Sequence, residues 1–240
     1  MTANADVAIA TMTLVRDAEE ERLLRRSLEA LAGHGRPVFV SDGGSGGAFV
    51  ASLRSLANVT VVLPAAPGLV GQVRGSLSAA ARSGARFVVY TESDKRAFFE
   101  SGLHEFIERI PSPDSRGLTL AARSQRALST FPSIQQFTEG VINELCGRFL
   151  GERGDYSYGP FLLPAELVPY VERAPDDLGW GWRHFSFAIA QRLGHRVRQA
   201  AGDYECPDDQ RGEDDRERLH RLRQLAQNVR GLEAGLTLPL

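Results

Sequence analysis

Short apolar runs alternate with amphipathic segments over residues 6–91, and this alternation constrains the possible folds more than any other feature of the chain. Asp6 to Leu14 is an apolar stretch. It is followed by an acidic helix start and a run from Ala18 to Ala32 with Leu23, Leu24, Leu28 and Leu31 at helical spacing. A second strand, Pro37 to Ser41, stops in Asp42-Gly43-Gly44-Ser45-Gly46-Gly47. A helix through Leu56, a strand from Val59 to Leu63, a loop from Pro64 to Gly68 and a small-residue helix from Leu69 to Ser83 lead to a fourth strand, Arg86 to Thr91. Strands linked in turn by helices imply a parallel sheet with helices on both faces, an α/β fold.

The rhythm then changes. Phe98 to Ile110 reads as a helix, Pro111 to Ser115 as a turn, Gly117 to Ala122 as a strand and Ile134 to Leu150 as a helix. Tyr156 to Leu163 reads as extended, and Pro164 begins a short helix. Asp176-Asp177-Leu178-Gly179-Trp180-Gly181-Trp182 opens a helix to Leu193, and His195 to Ala200 is a last strand. From Glu213 the chain is charged and helical, with Leu219, Leu222, Leu225 and Val229 in one stripe. The reading places one domain over 1–212 and a helical tail over 213–240, linked through Arg211 to Asp215. The tail suits either a lid over a ligand site or a dimer-forming helix.

Composition excludes several classes. With 42% hydrophobic residues there is ample material for a core, yet no run approaches the roughly 18 apolar residues of a membrane span. The start of the chain lacks the basic-then-apolar layout of a signal peptide. Cys146 and Cys206 lie far apart, so neither a zinc site nor a disulfide framework is indicated, and a cytoplasmic setting is the default expectation. A net charge of -2 argues against a nucleic-acid partner, which normally selects a basic face.

The chemistry is concentrated where strands end. Phe87 to Thr91 runs straight into Glu92-Ser93-Asp94. About four such i, i+2 acidic pairs are expected by chance among 30 acidic residues, and Glu19/Glu21, Asp203/Glu205 and Glu213/Asp215 show it. Position gives this pair its meaning: ligands of open α/β sheets bind outside the carboxyl ends of the strands. There, an acid-x-acid pair suits Mg2+ or Mn2+ bridging to a diphosphate. Lys95, the only lysine among 28 basic residues, and Arg96 follow directly and suit either phosphate or the two acids. Asp42, ending the second strand before a glycine-rich turn, suits hydrogen bonding to a base or ribose. The first strand ends in Thr11-Met12-Thr13-Leu14, without the glycines of a dinucleotide fingerprint, and no G-K-[ST] loop occurs anywhere.

In this order, the residues resemble the nucleotide-sugar domain of GT-A glycosyltransferases, most closely the family 2-like branch. Ser41-Asp42-Gly43-Gly44-Ser45 matches the D-D-G-S-like turn. Pro67-Gly68-Leu69-Val70-Gly71-Gln72-Val73-Arg74 matches the glycine-containing loop and small-residue helix, and Glu92-Ser93-Asp94 matches D-x-D. Arg123 fits a basic position after the fifth strand, and Ser157 to Leu163 with Pro164 to Leu167 looks like the segment that shapes the acceptor pocket. Gly179-Trp180-Gly181-Trp182 and Gly194 to Val197 resemble the acceptor-side helix and return strand. The match spans roughly residues 6–200. It implies a mostly parallel central sheet flanked by helices, with a C-terminal helical tail. Inverting family 2 enzymes usually carry an acidic pair after the Gly-Trp stretch; here Arg183-His184 stands in its place. The retaining glycerate-phosphate glycosyltransferases, which also lack a conventional base, are therefore a neighbouring class.

The resemblance implies roles residue by residue. Thr11, Asp42, Gly43, Gly71, Arg74 and Glu92 would contact the nucleotide donor. Asp94 would be the direct metal ligand, with His220 in the tail as a possible second. His184 would be a base, with the chemistry moving to Asp176 or Asp177, or to a retaining course without a base, if His184 merely packs; Asp176 or Asp177, Trp180, Trp182 and His184 would line an acceptor pocket. Trp180 and Trp182, the only tryptophans, suit a sugar platform or packing anchors equally; His195 opens a strand and packs. The expected function is metal-dependent transfer of a sugar from a nucleoside diphosphate sugar to a small or lipid-linked acceptor, with a homodimer as an expected assembly if the tail is a dimer-forming helix. The alternatives are an inactive GT-A-shaped binding or scaffold protein and, ranked last, a nucleotidyltransferase.

Overall fold

A computed structural model describes residues 6–109 and 117–240. The turn expected over Pro111 to Ser115 lies outside them. In chain order the elements are β1 (Val7–Thr13), α1 (Ala18–Ala32), β2 (Val38–Asp42), α2 (Gly47–Arg54), β3 (Val59–Val62), α3 (Leu69–Arg82), β4 (Phe87–Tyr90), α4 (Arg96–Ser101) and α5 (Leu103–Glu108). These are followed by β5 (Gly117–Arg123), α6 (Gln125–Leu128), α7 (Ser133–Leu150), β6 (Phe161–Pro164), α8 (Val168–Val171), α9 (Trp182–Arg192), β7 (Arg196–Gly202) and α10 (Asp215–Thr237). The contacts divide the chain otherwise than at residue 212. One compact unit joins Met1–Glu108 to Pro160–Glu172, and the other joins Arg109–Gly159 to Arg173–Leu240.

In the first unit the strands run β3-β2-β1-β4-β6. The first four are mutually parallel, with Thr13 opposite Asp42, Ala10 opposite Tyr90 and Ser41 opposite Val62; β6 is antiparallel to β4. Parallel strands covered by helices must be apolar on both faces, and β1 obeys: Val7, Ala8, Ile9 and Ala10 are all buried. Asp17 caps α1 by accepting from the backbone N–H groups of Glu19 and Glu20, which satisfies two donors that the first turn otherwise leaves open. Helix α3 packs on β1 and β2 at close range. A side chain at Gly71 would overlap the backbone of Ala66, and one at Gly75 would meet the carbonyl of Leu63.

In the second unit β5 and β7 pair in parallel from Gly117 opposite Arg196 to Arg123 opposite Gly202. Helix α9 is enclosed: Trp182 to Ala190 are buried without exception. Residues 176–181, expected to open that helix, form a separate 3-10 segment because Gly179 adopts φ 54°. Helix α10 is part of this unit, packing on α9, α7 and the 3-10 segment. Gly181 and Gly231 permit that approach, since a Cβ on Gly231 would overlap the Gly181 carbonyl. Among the described residues no helix is long and apolar enough to cross a membrane.

The Gly181–Gly231 contact gives a test of the second unit. Gly→Ala inside a helix gains up to ~1 kcal/mol in propensity. Overlap with rigid backbone costs up to ~3 kcal/mol. Gly231→Ala is therefore expected to lower the urea midpoint by the equivalent of about 2 kcal/mol; a raised midpoint would show that α10 does not lie so close.

Candidate functional site

Parallel pairing brings two strand ends together in the first unit. Asp42 ends β2, Glu92 and Asp94 follow β4, and β1 lies between them. Two strand spacings separate β2 from β4, about 10 Å. Glu92 is mostly buried, at 9% exposure, and Asp94 is exposed. The turn that presents them is held by backbone hydrogen bonds from Thr91 N–H to the Ala10 carbonyl (3.1 Å) and from Arg96 N–H to the Asp94 carbonyl (2.9 Å). An acid at the mouth of a strand end, accessible to solvent, is the geometry a metal-bridged diphosphate requires.

The Asp42 carboxylate is already engaged. One oxygen accepts from the N–H groups of Gly44 (3.0 Å) and Ser45 (2.8 Å). The other accepts from the hydroxyls of Thr13 (2.8 Å) and Ser45 (2.6 Å). Four hydrogen bonds fill the roughly four acceptor sites of a carboxylate. Asp42 thus shapes the glycine turn, and a base or ribose would have to displace one of these partners.

Several other expected donor contacts also have structural duties. Thr11 is fully buried in β1, where no ligand reaches it. Gly43 donates its N–H to the Thr13 carbonyl (2.7 Å), and a Cβ there would overlap the Gln72 amide, which itself donates to Thr13 (3.2 Å). Gly71 is buried against Ala66. Arg74 is half-buried on α3. Of the donor-side set, the Glu92–Asp94 turn is the part that brings an exposed carboxylate, that of Asp94, to the strand-end edge.

In the second unit the end of β5 carries a buried ionic network. Arg123, 6% exposed, grips Asp155 through Nε (2.7 Å) and Nη2 (2.9 Å) and Glu139 through Nη2 (2.5 Å). Its guanidinium lies over the rings of Phe131 (4.5 Å) and Tyr158 (5.7 Å). Burial opposes the charge on Arg123, but the two carboxylates outweigh it and hold the group firmly protonated. Asp155 is likewise penalised by burial and yet held below the usual carboxylate range, mainly by the Arg123 charge. Arg123, which the sequence matches to a basic position after the fifth strand, is engaged entirely within its own protein. Sequence spacing gives no sign of Asp155 and Glu139 as its partners, which lie 32 and 16 residues away.

The expected acceptor pocket does not assemble from the residues named for it. His184 is fully buried, its two ring nitrogens have no hydrogen-bond partner among the described residues, and the Phe187 ring stands edge-on at 5.7 Å. Burial, reinforced by the neighbouring Arg183 charge, drives its pKa well below the ordinary value. A group with no path to solvent or substrate cannot take a proton from an acceptor, so the structure argues against His184 as the base. Trp182 is enclosed in the core, while Trp180 has the Arg183 guanidinium over its ring at 5.5 Å. Asp177 points outward into an ion pair with Arg230 (2.5 Å), whose hydrogen bond lowers its pKa. The entry segment is packed against α10: Gln227 accepts from Trp180 N–H (3.1 Å) and fills the space beside Gly179. His220 is exposed on α10, in an open cleft of about 610 Å3 shared with Glu213, Asp214, Glu217 and Arg221. Among the described residues no three His, Cys, Asp or Glu side chains come together as a metal site.

The fold defined by this sheet and these strand ends is the GT-A fold of nucleotide-sugar glycosyltransferases. The solved structures it resembles include glucosyl-3-phosphoglycerate synthase from Mycobacterium tuberculosis in complex with Mn2+, UDP and phosphoglyceric acid. That comparison has a TM-score of 0.64 and 15% identity over 99% of this chain and 81% of that one. The same enzyme in complex with UDP gives 0.67 and 16% over 99% and 82%. A structure described only as a mycobacterial protein gives 0.67 and 16% over 99% and 78%. No family model and no curated protein matches the sequence. At such identities the likeness establishes the fold.

Two outcomes follow from the buried groups. The unfolded chain takes up a proton at His184 near pH 6.5, whereas the folded chain resists until well below that value. Stability should be complete above about pH 6.5 and fall as pH drops through it. His184→Leu should flatten this slope between roughly pH 6.5 and 5 in denaturant titrations; an unchanged slope would show that His184 is not buried neutral. Arg123→Met should cost ~3–5 kcal/mol, because it strands two carboxylates in the core. Adding Asp155→Asn and Glu139→Gln should recover part of that loss.

Proposed function

We propose that this chain is a metal-dependent glycosyltransferase that uses a nucleoside diphosphate sugar. The observation that carries the reading is the Glu92-Ser93-Asp94 turn at the end of β4, beside the Asp42 turn at the end of β2. It stands in a fold whose solved examples include complexes with Mn2+ and UDP. The residues fit a divalent cation. Two acids without a third protein ligand suit Mg2+ or Mn2+, which take substrate phosphate oxygens and waters in place of a full protein cage. Glu92 and Asp94 would hold the ion; when bound it supplies Lewis-acid stabilisation of the departing diphosphate.

The remaining roles belong to the chain. The Asp42-centred turn, fixed by four hydrogen bonds, offers a preorganised wall for the nucleoside, which lowers the ordering cost at binding. The parallel strands fix the separation of that wall from the acidic turn. Neither residue expected as a base is free for that work: His184 is buried and Asp177 is paired with Arg230. This favours transfer without a side-chain base, the course that the resemblance associates with the retaining glycerate-phosphate enzymes. The phosphoglyceric acid in a neighbour's complex supports a small acceptor over a lipid-linked one.

Calorimetry with UDP and with GDP, each with and without Mn2+, tests the donor reading. One nucleotide should bind in a metal-dependent manner, and Asp94→Ala should weaken it by about tenfold or more. Binding of neither nucleotide under any condition would falsify the proposal. Slow hydrolysis of the matching sugar nucleotide separates an enzyme from a scaffold; binding with no turnover at all would favour the scaffold.

A further inference from the structure

The outer face of α10 carries a pattern that neither the core nor the donor reading uses. Leu219, Leu222 and Val229 are 53%, 50% and 38% exposed, and Ala226 between them is exposed as well. Their spacing of three, four and three residues is the seam of a two-helix coiled coil. The opposite face of the same helix, with Asn228, Gly231, Leu232 and Gly235, is buried in the unit. The seam is therefore left over after α10 has met its own packing needs.

Charge selects the occupant. Arg216, Arg223 and Arg230 recur every seven residues along one flank of the seam, and Arg218 stands on the other. Arg230 and Arg218 are partly neutralised by Asp177 and by Glu213 and Asp215. Arg216 and Arg223 are exposed, with no carboxylate partner among the described residues. A second copy in antiparallel pairing would set this arginine flank against itself, and parallel pairing would set it against Arg218, both repulsive. Asp215 and Glu233 continue the seam at its two ends, where a flat lipid surface would have to bury them. They limit the apolar stretch to about 15 Å, three turns of helix.

We propose that the exposed face of α10 docks a short amphipathic helix of a partner protein, apolar along one seam and acidic along its flanks. Apolar side chains from the partner fill the spaces around Leu219 and Leu222, and carboxylates meet Arg216 and Arg223. The interaction is independent of the donor reading, since none of these residues belongs to the Glu92–Asp94 turn.

The test uses the full chain and a labelled synthetic helix of about three heptads, with Leu along the seam and Glu on both flanks. Fluorescence anisotropy should show saturable binding, at least about tenfold tighter than for the same peptide with Lys on its flanks. Leu219→Ser with Leu222→Ser should weaken binding by about tenfold or more, and Arg223→Glu should shift preference toward the Lys-flanked peptide. All these positions are exposed, so the variants should fold normally by circular dichroism. Equal binding of both peptides, or of neither, overturns the proposal. So does a dimer of the chain alone, seen by light scattering and abolished by the two serines. Sedimentation with vesicles of roughly 3:1 phosphatidylcholine and phosphatidylserine, lost in the same variant, overturns it as well.

Discussion

Everything at the chemical edge of the first unit depends on β1 being paired in parallel on both sides. A strand with neighbours left and right, covered by helices, has no wet face, and Val7 to Ala10 accordingly carry no polar side chain. Because all three strands point the same way, the loops after β2 and β4 emerge at one edge. Their separation is then set by strand spacing and not by loop conformation. Rigid placement of this kind makes a strand-end acid more than a surface charge.

Beside that frame, a carboxylate can serve structure or ligand, and the number of its hydrogen bonds decides which. Asp42 accepts four and becomes the centre of its turn. Asp94 stays at the surface. The glycines divide similarly. Gly71 and Gly75 are close-approach positions for α3 against the loop after β3 and make room for backbone, not for a ligand.

The second unit solves a different problem, the burial of charge. Removing a guanidinium from water is expensive, and it is tolerated at Arg123 because two carboxylates and two aromatic rings surround it. The network ties β5, α7 and the segment at residue 155 to one another. Helix α9 has the opposite character: it is enclosed all round, and His184 stays neutral there because nothing nearby rewards its charge.

The sequence by itself determined the order of elements through β4, the parallel sense of the first strands and the position of Glu92-Ser93-Asp94 at a strand end. Periodicity and turn residues are local, and strand direction follows from the helices between strands. It also marked α10 as amphipathic, though not which of its faces the core would use. Tertiary structure alone decided that His184 is sealed in, that Asp177 belongs to Arg230 and that Arg123 is spent on Asp155 and Glu139. It likewise decided that Asp42 holds a turn. Each of those outcomes turns on partners up to 53 residues away in the chain. A side chain's burial and free hydrogen-bonding capacity are properties of what surrounds it, and no local pattern records them.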